Sequence, residues 1–370
     1  MRLAVYNVEN LFDRARVMNL DNWAEGKAFL DNFAKLNAIL GKIAYSSADK
    51  RRMVDLFVKL GLDKSDTSQF VILRQSKGKL LRRARNGKLE IIVDGRAQWA
   101  GSLELRDEPI SEKAMQTTAQ VLIDVGADVL GVIEAESRPA LSQFNAQLIA
   151  ARGGTPYRHA MLIDGNDDRG IDVGLLTGEQ YPIGIMRSHV DERQENGKLL
   201  FSRDCAEFLV MTPSGETLLV MLNHFKSKGF GSQQASNAKR LAQASRVAEI
   251  YQERLAQGYE HIAVMGDFND TPDSGPLQPL IKEKTLKDVF LHPAFDDGGR
   301  PGTFGSCAPG NKIDYILLSP SLFEKVATGG VFRKGMWPGA RPARWVAYPE
   351  VSLPHEAASD HAAIWVDIDL

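Results

Sequence analysis

Six short apolar segments, each with polar residues at one end, constrain the fold of this chain most strongly. Four of the segments end in acidic, amide or imidazole side chains, whereas the last two begin with them. Short β-prone runs of this kind predict buried strands. If all the polar ends meet at one edge, the last two strands run antiparallel to the other four. The segments are residues 3–9, 129–134, 218–224, 261–269, 312–318 and 359–366.

Helical patterns separate several of these strands, over residues 111–125 and residues 235–255. Helices combined with strands of both directions predict a mixed α/β fold rather than a doubly wound parallel sheet. Two pairs of polar residues are each spaced two apart along a strand, which would place both members of each pair on one face. These pairs are Asn7 with Glu9 and Asp267 with Asn269.

A long insertion interrupts this scheme after the first strand. About 90 residues intervene before the next core element, far more than an ordinary loop contains. We therefore expect residues 1–12 and 105–370 to form the main domain and residues 13–104 an inserted subdomain. Within the insertion, the sequence predicts helices over 22–43 and 48–60, strands over 70–73 and 89–93, and a hairpin-type turn at Asn86–Gly87.

Charge limits the ways in which this chain could bind nucleic acid. The formal net charge is -2, so a polyanion would need a local basic patch or a metal site. Basic residues cluster around the predicted turn, where they could contact a phosphate backbone. The alternative is a solvated turn neutralised by acids such as Glu90 and Asp94, which the scarcity of interleaved aromatic residues favours. The basic residues are Arg74, Lys77, Lys79, Arg82, Arg83, Arg85 and Lys88.

The cysteine content and hydropathy indicate the compartment. Cys205 and Cys307 are too few for a disulfide framework, so we expect two buried thiols in a reducing cytoplasm. The sequence has no run of about 18 apolar residues and no secretory signal pattern, which predicts a chain without a transmembrane helix. No feature indicates an obligate protein partner.

Acidic residues at the strand ends suit metal-assisted attack of water on phosphorus. Mg²⁺ prefers oxygen ligands, usually one or two carboxylates together with water and substrate phosphate. Glu9, Glu134 and Asp360 can supply such carboxylates. Each residue alone has an ordinary structural explanation, so the prediction depends on their joint order along the chain.

The remaining strand-end residues suit proton handling and charge stabilisation. Asp267 can orient or deprotonate a water molecule. His224 and His361 can neutralise charge that develops on phosphate oxygens. Asp314 can hold the imidazole of His361 in one tautomer, as a carboxylate partner commonly does.

Six motifs occur in one order along the chain, and together they resemble the endonuclease/exonuclease/phosphatase superfamily. The resemblance covers residues 1–12 and 110–370. It implies a four-layer α/β sandwich, in which two mixed β-sheets pack face to face and are flanked by helices. The motifs are Asn-Val-Glu-Asn-Leu-Phe from Asn7, Val-Ile-Glu ending at Glu134, Asn-His-Phe-Lys-Ser from Asn223, Gly-Asp-Phe-Asn ending at Asn269, Lys-Ile-Asp-Tyr ending at Tyr315, and Ser-Asp-His ending at His361.

The same resemblance implies an activity. It points to a Mg²⁺- or Mn²⁺-dependent phosphodiesterase, foremost a nuclease acting on DNA or RNA. A phosphatase or phospholipase-like enzyme acting on a small phosphorylated or lipid substrate is the alternative. An inactive fold reused as a binding module is a third hypothesis, which the presence of every expected catalytic residue type disfavours.

Residue roles follow from the resemblance by position. Asp267 corresponds to the residue that activates water, and Asn269 to the phosphate contact. His361 and His224 correspond to the two histidines, and Asp314 to the acid that orients His361. Arg169 and Asn223 are the expected substrate contacts, although Arg169 could equally form a surface ion pair with Asp167 or Asp168. The residues expected at the metal are Glu134, Asn7, Glu9 and Asp360.

Overall fold

A computed structural model describes residues 1–9, 11, 13–15, 23–84, 87–109, 112–167, 170–228, 232–340 and 343–370 of the chain. The fold divides into two units. The first comprises Met1–Phe12, Ile110–Lys228 and Gln233–Leu370, and the second comprises Asp13–Pro109 and Gly229–Ser232.

The strands and helices follow one another in mixed order along the chain. In order, the strands are β1 (Arg2–Asn7), β2 (Asp13–Ala15), β3 (Val71–Lys77), β4 (Leu81–Arg83), β5 (Leu89–Ile91), β6 (Ala100–Leu105), β7 (Asp107–Pro109), β8 (Val129–Ala135), β9 (His159–Ile163), β10 (Asp172–Thr177), β11 (Ile183–Arg187), β12 (Cys205–Met211), β13 (Thr217–His224), β14 (Ile262–Asp267), β15 (Lys287–Asp288), β16 (Phe295–Asp296), β17 (Asp314–Leu318), β18 (Val326–Phe332) and β19 (Ala363–Ile368). The α-helices are α1 (Trp23–Leu40), α2 (Ser47–Lys59), α3 (Glu112–Val125), α4 (Arg138–Phe144), α5 (Gln233–Ala256), α6 (Gln278–Ile281) and α7 (Pro320–Phe323).

The first unit contains two large mixed sheets. One has seven strands in the order β16-β18-β19-β1-β8-β10-β9, and the other has six in the order β11-β12-β13-β14-β17-β15. β1 runs parallel to β8 and antiparallel to β19. β14 runs parallel to β13 and antiparallel to β17. The predicted antiparallel direction of the last two polar-ended strands is therefore confirmed.

Three apolar cores show how the layers are stacked. Side chains of both sheets, including Val5 and Leu222, form one core, so the two sheets pack face to face. The other face of the seven-stranded sheet packs against α3, where Leu122 contributes to the core. The other face of the six-stranded sheet packs against α5 through residues such as Val247. This is the predicted four-layer α/β sandwich.

The second unit has a core of its own, formed by α1, α2 and short antiparallel strand pairs. α2 begins with a capping box in which Ser46 and Asp49 exchange hydrogen bonds. Inside the core, Trp99 donates a hydrogen bond of 3.0 Å to the hydroxyl of Tyr45. Strands β4 and β6 were not predicted from the sequence, and Asn86 of the predicted turn lies outside the described residues.

Two basic residues of the predicted hairpin are engaged within the second unit. Arg82 pairs with Glu90 at 2.6 Å, as the neutralised-turn interpretation expects. Arg83 pairs with Asp66 at 2.7 Å and also donates to backbone carbonyls, including that of Leu62. Arg85 lies outside the described residues.

Two further sequence expectations concern thiols and membranes. Cys205 and Cys307 are both buried free thiols. Among the helices that the structure describes, none combines the length and apolar character needed to cross a bilayer.

Candidate active site

Strand register brings the polar strand ends together. In the six-stranded sheet, His224 lies opposite Asp267, and Asp267 lies opposite Asp314. Asn7, at the end of β1 in the other sheet, donates from its amide nitrogen to a carboxylate oxygen of Asp267 at 3.2 Å. This hydrogen bond joins the two sheets at the edge where the strand ends meet.

Strand alternation directs the side chains of β13 and β14 toward this site. Leu222 on β13 and Met265 on β14 belong to the core between the sheets. His224 and Asp267 lie two residues further along the same strands, so their side chains continue on that face. Both are almost completely buried, with 3% and 2% of their surface exposed.

Glu134 reaches the same site through a β-bulge. Asp172 pairs with Ala135 and Val173 pairs with Ile133, so Glu134 has no partner residue in the β8–β10 ladder. Its φ is 71°, in the left-handed region that a non-glycine residue rarely occupies. Regular alternation would direct it to the α3 face, where Val132 packs. The bulge re-aims the side chain, a recurrent device beside active sites.

Asp267 is the centre of the cluster. Its Oδ2 atom lies 3.6 Å from Nε2 of His224 and 3.9 Å from Nε2 of His361. Oε1 of Glu134 lies 3.6 Å from the same His224 nitrogen. Burial and, second to it, the carboxylate of Asp314 raise the pKa of Asp267 to about 7, although His361 and the backbone N–H of Asn269 act in the opposite direction.

His361 and Asp314 form a buried pair beside this centre. Nδ1 of His361 lies 2.9 Å from a carboxylate oxygen of Asp314, as the sequence predicted for an orienting acid. Burial alone would lower the pKa of His361, but the Asp314 carboxylate raises it well above its usual range. Because Nδ1 is engaged, Nε2 is the nitrogen that faces Asp267 and, at 3.7 Å, Asp360.

The expected pairing of Asn7 with Glu9 on one strand face is wrong. β1 ends at Asn7, and Glu9 has a φ of 53°, so the two residues do not follow strand alternation. The side-chain oxygen of Asn7 accepts the backbone N–H of Glu9 at 3.0 Å, which leaves the Asn7 amide nitrogen facing Asp267. Asn7 thus contacts both Glu9 and Asp267, and the metal contact predicted for Asn7 stays a prediction.

Glu9 and Asp360 lie together at the margin of the site. A carboxylate oxygen of Glu9 accepts the backbone N–H of Asp360 at 2.9 Å. The Asp360 side chain is 43% exposed, whereas that of Glu134 is only 15% exposed. Both carboxylates thus stay near the cluster, at its solvent side.

Asn269 reaches Asp267 by a turn rather than by strand alternation, so that expectation is also wrong. β14 ends at Asp267, and Asn269 has a φ of 55°. Its backbone N–H donates to Asp267 at 2.8 Å, and its amide nitrogen donates to the carbonyl of Phe225 at 3.2 Å. The turn holds Asn269 beside the Asp267 carboxylate in a left-handed conformation, which asparagine adopts more readily than other non-glycine residues.

Two predicted substrate contacts are not part of the described cluster. Asn223 is fully buried and, by alternation with His224, faces the α5 side of the sheet, where Met221 packs. Direct contact between Asn223 and a substrate does not fit that placement. Arg169 lies outside the described residues, and Asp167, one of its alternative partners, pairs with Arg203 at 2.9 Å.

Sequence reasoning assigned no role to Ser359, which links the site's first and last strands. Its hydroxyl donates to the carbonyl of Asn7 at 2.7 Å and accepts the backbone N–H of His361 at 3.0 Å. Thr303 acts similarly on Asp314, whose backbone N–H donates to the Thr303 hydroxyl at 3.1 Å. Ser359 could have been identified from the sequence, because it lies two residues before the predicted site residue His361. Thr303 could not, because it is 11 residues away from Asp314 in the sequence.

The residues at this edge fit a hard divalent cation. Glu134, His224 and Asp267 form one group of potential ligands, and Asp267, Asp314 and His361 form a second. Most donors are carboxylate oxygens, the type that Mg²⁺ and Mn²⁺ favour. Burial is the main cause of the raised pKa of Asp267 and the Asp314 carboxylate the second, so ionisation of Asp267 is costly here, and a bound cation would offset that cost.

Comparison with known proteins matches this arrangement to one family. The sequence model described as the Endonuclease/Exonuclease/phosphatase family matches residues 109–361. A mannosyl-6-phosphatase from Bacteroides thetaiotaomicron superposes with a TM-score of 0.50 and 17% identity, over 70% of this chain and 92% of that one. An endonuclease/exonuclease/phosphatase family protein from the same organism gives 0.50 and 19%, over 69% and 86%. Comparison with curated protein sequences finds no match. The structural similarities show a shared fold.

Proposed function

Because the chain belongs to the endonuclease/exonuclease/phosphatase family, whose members hydrolyse phosphate esters, we propose that it is a divalent-metal-dependent phosphodiesterase with nucleic acid as its substrate. One observation carries the proposal. Glu134 and Asp267 converge on the same nitrogen of His224, each at 3.6 Å, beside the buried pair of His361 and Asp314. A carboxylate can act as the base for the attacking water, and a carboxylate-held imidazole can stabilise charge on the phosphate oxygens.

The proposed mechanism begins with water and Asp267. A carboxylate with a pKa near 7 is a stronger base than an ordinary aspartate, so Asp267 can accept a proton from the attacking water at neutral pH. The hydrogen bonds from Asn7 and from the backbone of Asn269 hold the carboxylate in place. The amide of Asn269 lies in the same turn and is the proposed phosphate contact.

His361 supplies positive charge to the phosphoryl oxygens. Asp314 holds Nδ1, so the proton on Nε2 is the one directed into the site. His224 stands on the other side of Asp267 and can donate to a second phosphate oxygen. A Mg²⁺ or Mn²⁺ ion held by Glu134, with Glu9 and Asp360 beside it, would neutralise phosphate charge and favour attack by water.

A phosphomonoesterase is the second candidate, and one observation favours it. A nuclease of this size would use surface cations to bind the phosphate backbone. In the inserted unit, however, Arg82 is paired with Glu90 and Arg83 with Asp66. These charges are balanced within the protein, which suits a substrate that needs no extended basic surface.

The deciding experiment measures hydrolysis of five substrates by the pure protein. These are plasmid DNA, single-stranded RNA, bis-(p-nitrophenyl) phosphate, p-nitrophenyl phosphate and a sugar phosphate, each with Mg²⁺, with Mn²⁺ and with EDTA. We expect the diesters to be hydrolysed faster than the monoesters, and EDTA to stop the reaction. Asp267→Asn, purified in the same way, controls for contaminating nucleases. Faster monoester hydrolysis would favour the phosphatase, and no hydrolysis of any substrate would contradict both candidates.

A cytoplasmic location is part of the same proposal. It is supported by Cys205 and Cys307, which are buried free thiols, the state expected of cysteines in a reducing compartment. Fractionation of cells that express the protein at natural levels would test it.

A further inference from the structure

Helix α5 carries a completely buried arginine, Arg240, and each of its three guanidinium nitrogens donates a hydrogen bond. Arg240 has no exposed surface. Its Nε donates to the carboxylate of Asp270 at 3.1 Å, its Nη1 to the backbone carbonyl of Lys226 at 2.8 Å, and its Nη2 to the side-chain oxygen of Asn237 at 2.5 Å. A buried guanidinium is costly unless such partners satisfy it.

The contact with Lys226 fixes the chain just after β13. Lys226 follows His224 by two residues. Its carbonyl accepts from Arg240, and its backbone N–H donates to the side-chain oxygen of Gln243 at 2.9 Å. Both backbone polar groups of Lys226 are thus held by α5. The segment that leaves the His224 strand cannot move without breaking them.

The contact with Asp270 fixes the chain just after β14. Asp270 follows Asp267 by three residues, and besides Arg240 it accepts Nζ of Lys228 at 2.6 Å. The hydroxyl of Tyr315 donates to the Asp270 carbonyl at 2.9 Å. Between Asp267 and Asp270 lies the left-handed turn at Asn269, so these contacts anchor the far end of that turn.

The two segments also contact each other directly. The backbone N–H of Phe225 donates to the carbonyl of Asp267 at 2.9 Å. The Phe225 carbonyl accepts from the Asn269 amide at 3.2 Å, and the rings of Phe225 and Phe268 stack at 4.8 Å. A shift of either segment would therefore displace the groups proposed to activate water and contact phosphate.

We propose that Arg240 is a positioning residue for phosphoester hydrolysis: by bridging Lys226 and Asp270 from within α5, it sets the separation of the His224 and Asp267 segments. The inference rests on the proposed function, since it assigns those segments a catalytic task. Arg240 itself is buried beneath the site and acts through the residues it holds. Displacements of about 1 Å at reacting groups can lower turnover by up to about 100-fold.

The same helix provides a matched control. Arg254 is also buried, with 7% exposure, and forms two hydrogen bonds of 2.6 Å to Glu207. It lies 14 residues further along α5, which corresponds to about 21 Å along a helix axis. Loss of either arginine leaves a buried carboxylate without its guanidinium, so both variants should lose stability, but only Arg240 connects to the site segments.

The experiment compares Arg240→Gln, Arg240→Lys and Arg254→Gln with the parent protein. For each, kcat and KM on bis-(p-nitrophenyl) phosphate are measured well below the melting temperature. We expect both Arg240 variants to lower kcat by about 10- to 100-fold with little change in KM, because lysine keeps the charge but cannot bridge both segments. Arg254→Gln should melt at a lower temperature yet retain kcat within about twofold of the parent.

Hydrogen exchange gives a second reading that does not depend on activity. In Arg240→Gln, and not in Arg254→Gln, the amides of residues 225–228 and 268–270 should exchange faster than in the parent. If Arg240→Gln fails to fold, Arg240→Lys carries the same test. Unchanged exchange in these segments, or kcat losses that merely parallel those of Arg254→Gln, would overturn the inference. An inactive parent whose segments still lose protection on substitution of Arg240 would instead count against the proposed function alone.

Discussion

Oε1 of Glu134 lies 3.6 Å from Nε2 of His224, although the two residues belong to strands of different sheets. The approach depends on a backbone irregularity, since Glu134 stands at a bulge with a φ of 71°. A left-handed conformation costs a non-glycine residue about 1–3 kcal/mol. The fold therefore retains a strained residue at the point where its carboxylate meets the second sheet.

This strain leads to a prediction for Glu134. Glycine adopts a positive φ without a steric penalty, so Glu134→Gly should relieve strain and also remove one carboxylate from the buried cluster. We expect its melting temperature to be equal to or higher than that of the parent, whereas its turnover should fall by at least about 100-fold because the carboxylate proposed to bind the metal is gone. Melting curves and phosphodiester kinetics measure the two effects.

Glu134→Gln is the matched control, because it keeps the side-chain size and the strained backbone while removing the charge. It should lose activity and be less stable than Glu134→Gly, because it removes the charge but keeps the strained backbone. Calorimetric titration with Mn²⁺ should show weaker binding in both variants. Unchanged affinity and turnover in Glu134→Gln would remove Glu134 from the metal site.

Asp267 provides a prediction about pH. Its folded-state pKa is raised to about 7 from 3.8, so the folded protein binds more protons than the unfolded chain between these values. Stability contributed by this group is therefore greatest below pH 3.8 and is lost as the pH rises toward 7. In EDTA at neutral pH, Asp267→Asn should be more stable than the parent, and its turnover should be strongly reduced.

Thermal unfolding of parent and Asp267→Asn across this pH range, in EDTA, measures the effect. The stability difference should grow from acid to neutral pH. The groups that face Asp267 are the same in both proteins, namely Asn7, Glu134, His224, Asn269, Asp314 and His361. A difference that is constant with pH would show that Asp267 does not titrate as its burial predicts.

The sequence predicted the sheets and the strand-end residues because both follow from simple periodicity. Apolar runs with polar ends identified β13 and β14, and the structure places His224 and Asp267 at the ends of these two strands. The directions of the last two strands followed from the reversed order of their polar residues. These features are local, so one stretch of chain contains the information for each.

The sequence did not predict the places where the backbone departs from regular geometry. Glu9, Glu134 and Asn269 all have positive φ, although none is glycine, so the usual marker was missing. Alternation placed Glu9 and Asn269 incorrectly for this reason. It also failed to exclude Asn223, whose motif lies at the site while its side chain faces α5. Such positions are set by contacts between segments that are distant in sequence.

Glu207 on β12 and Arg254 on α5 belong to a second buried charge network. Glu207 accepts two hydrogen bonds from Arg254, and Nε2 of His189 lies 2.7 Å from it. Although burial opposes ionisation, Arg254 and His189 lower the pKa of Glu207 to about 2. Its contribution to stability is therefore present above pH 4.5 and is lost as the pH falls toward 2.

Glu207→Gln should consequently destabilise the protein at neutral pH, by about 3–5 kcal/mol, because it leaves Arg254 buried without its counter-charge. The difference from the parent should shrink below pH 4.5. Urea denaturation at several pH values measures it. Hydrolysis per folded molecule should not change, and a specific loss of kcat would indicate that this network reaches the site.

The basic hairpin gives a prediction about nucleic-acid binding. Arg82 is paired with Glu90 at 2.6 Å, so its charge is already balanced. Arg82→Gln should leave the salt dependence of DNA binding unchanged, whereas a true phosphate contact would reduce the slope by about 0.9. Arg83→Gln should instead lower stability, since Arg83 donates to the carbonyls of Leu62 and Ser65. A reduced slope in Arg82→Gln would contradict the neutralised turn.

His361 and Asp314 can be tested as a unit. The Nδ1–carboxylate distance of 2.9 Å and the raised pKa of His361 both indicate that Asp314 acts by fixing the imidazole and its charge. His361→Ala should lower kcat by about 10²–10³-fold, as the loss of other preorganised donors does. Asp314→Asn should lower it less, because the imidazole remains but its tautomer and charge are no longer held. Once His361 is alanine, Asp314→Asn should have almost no further effect, since groups that act through one another are not additive.

A double-mutant cycle on kcat, with melting curves to confirm folding, measures the coupling. Fully additive losses would mean that Asp314 acts on the reaction independently, and that the orienting role assigned to it is wrong.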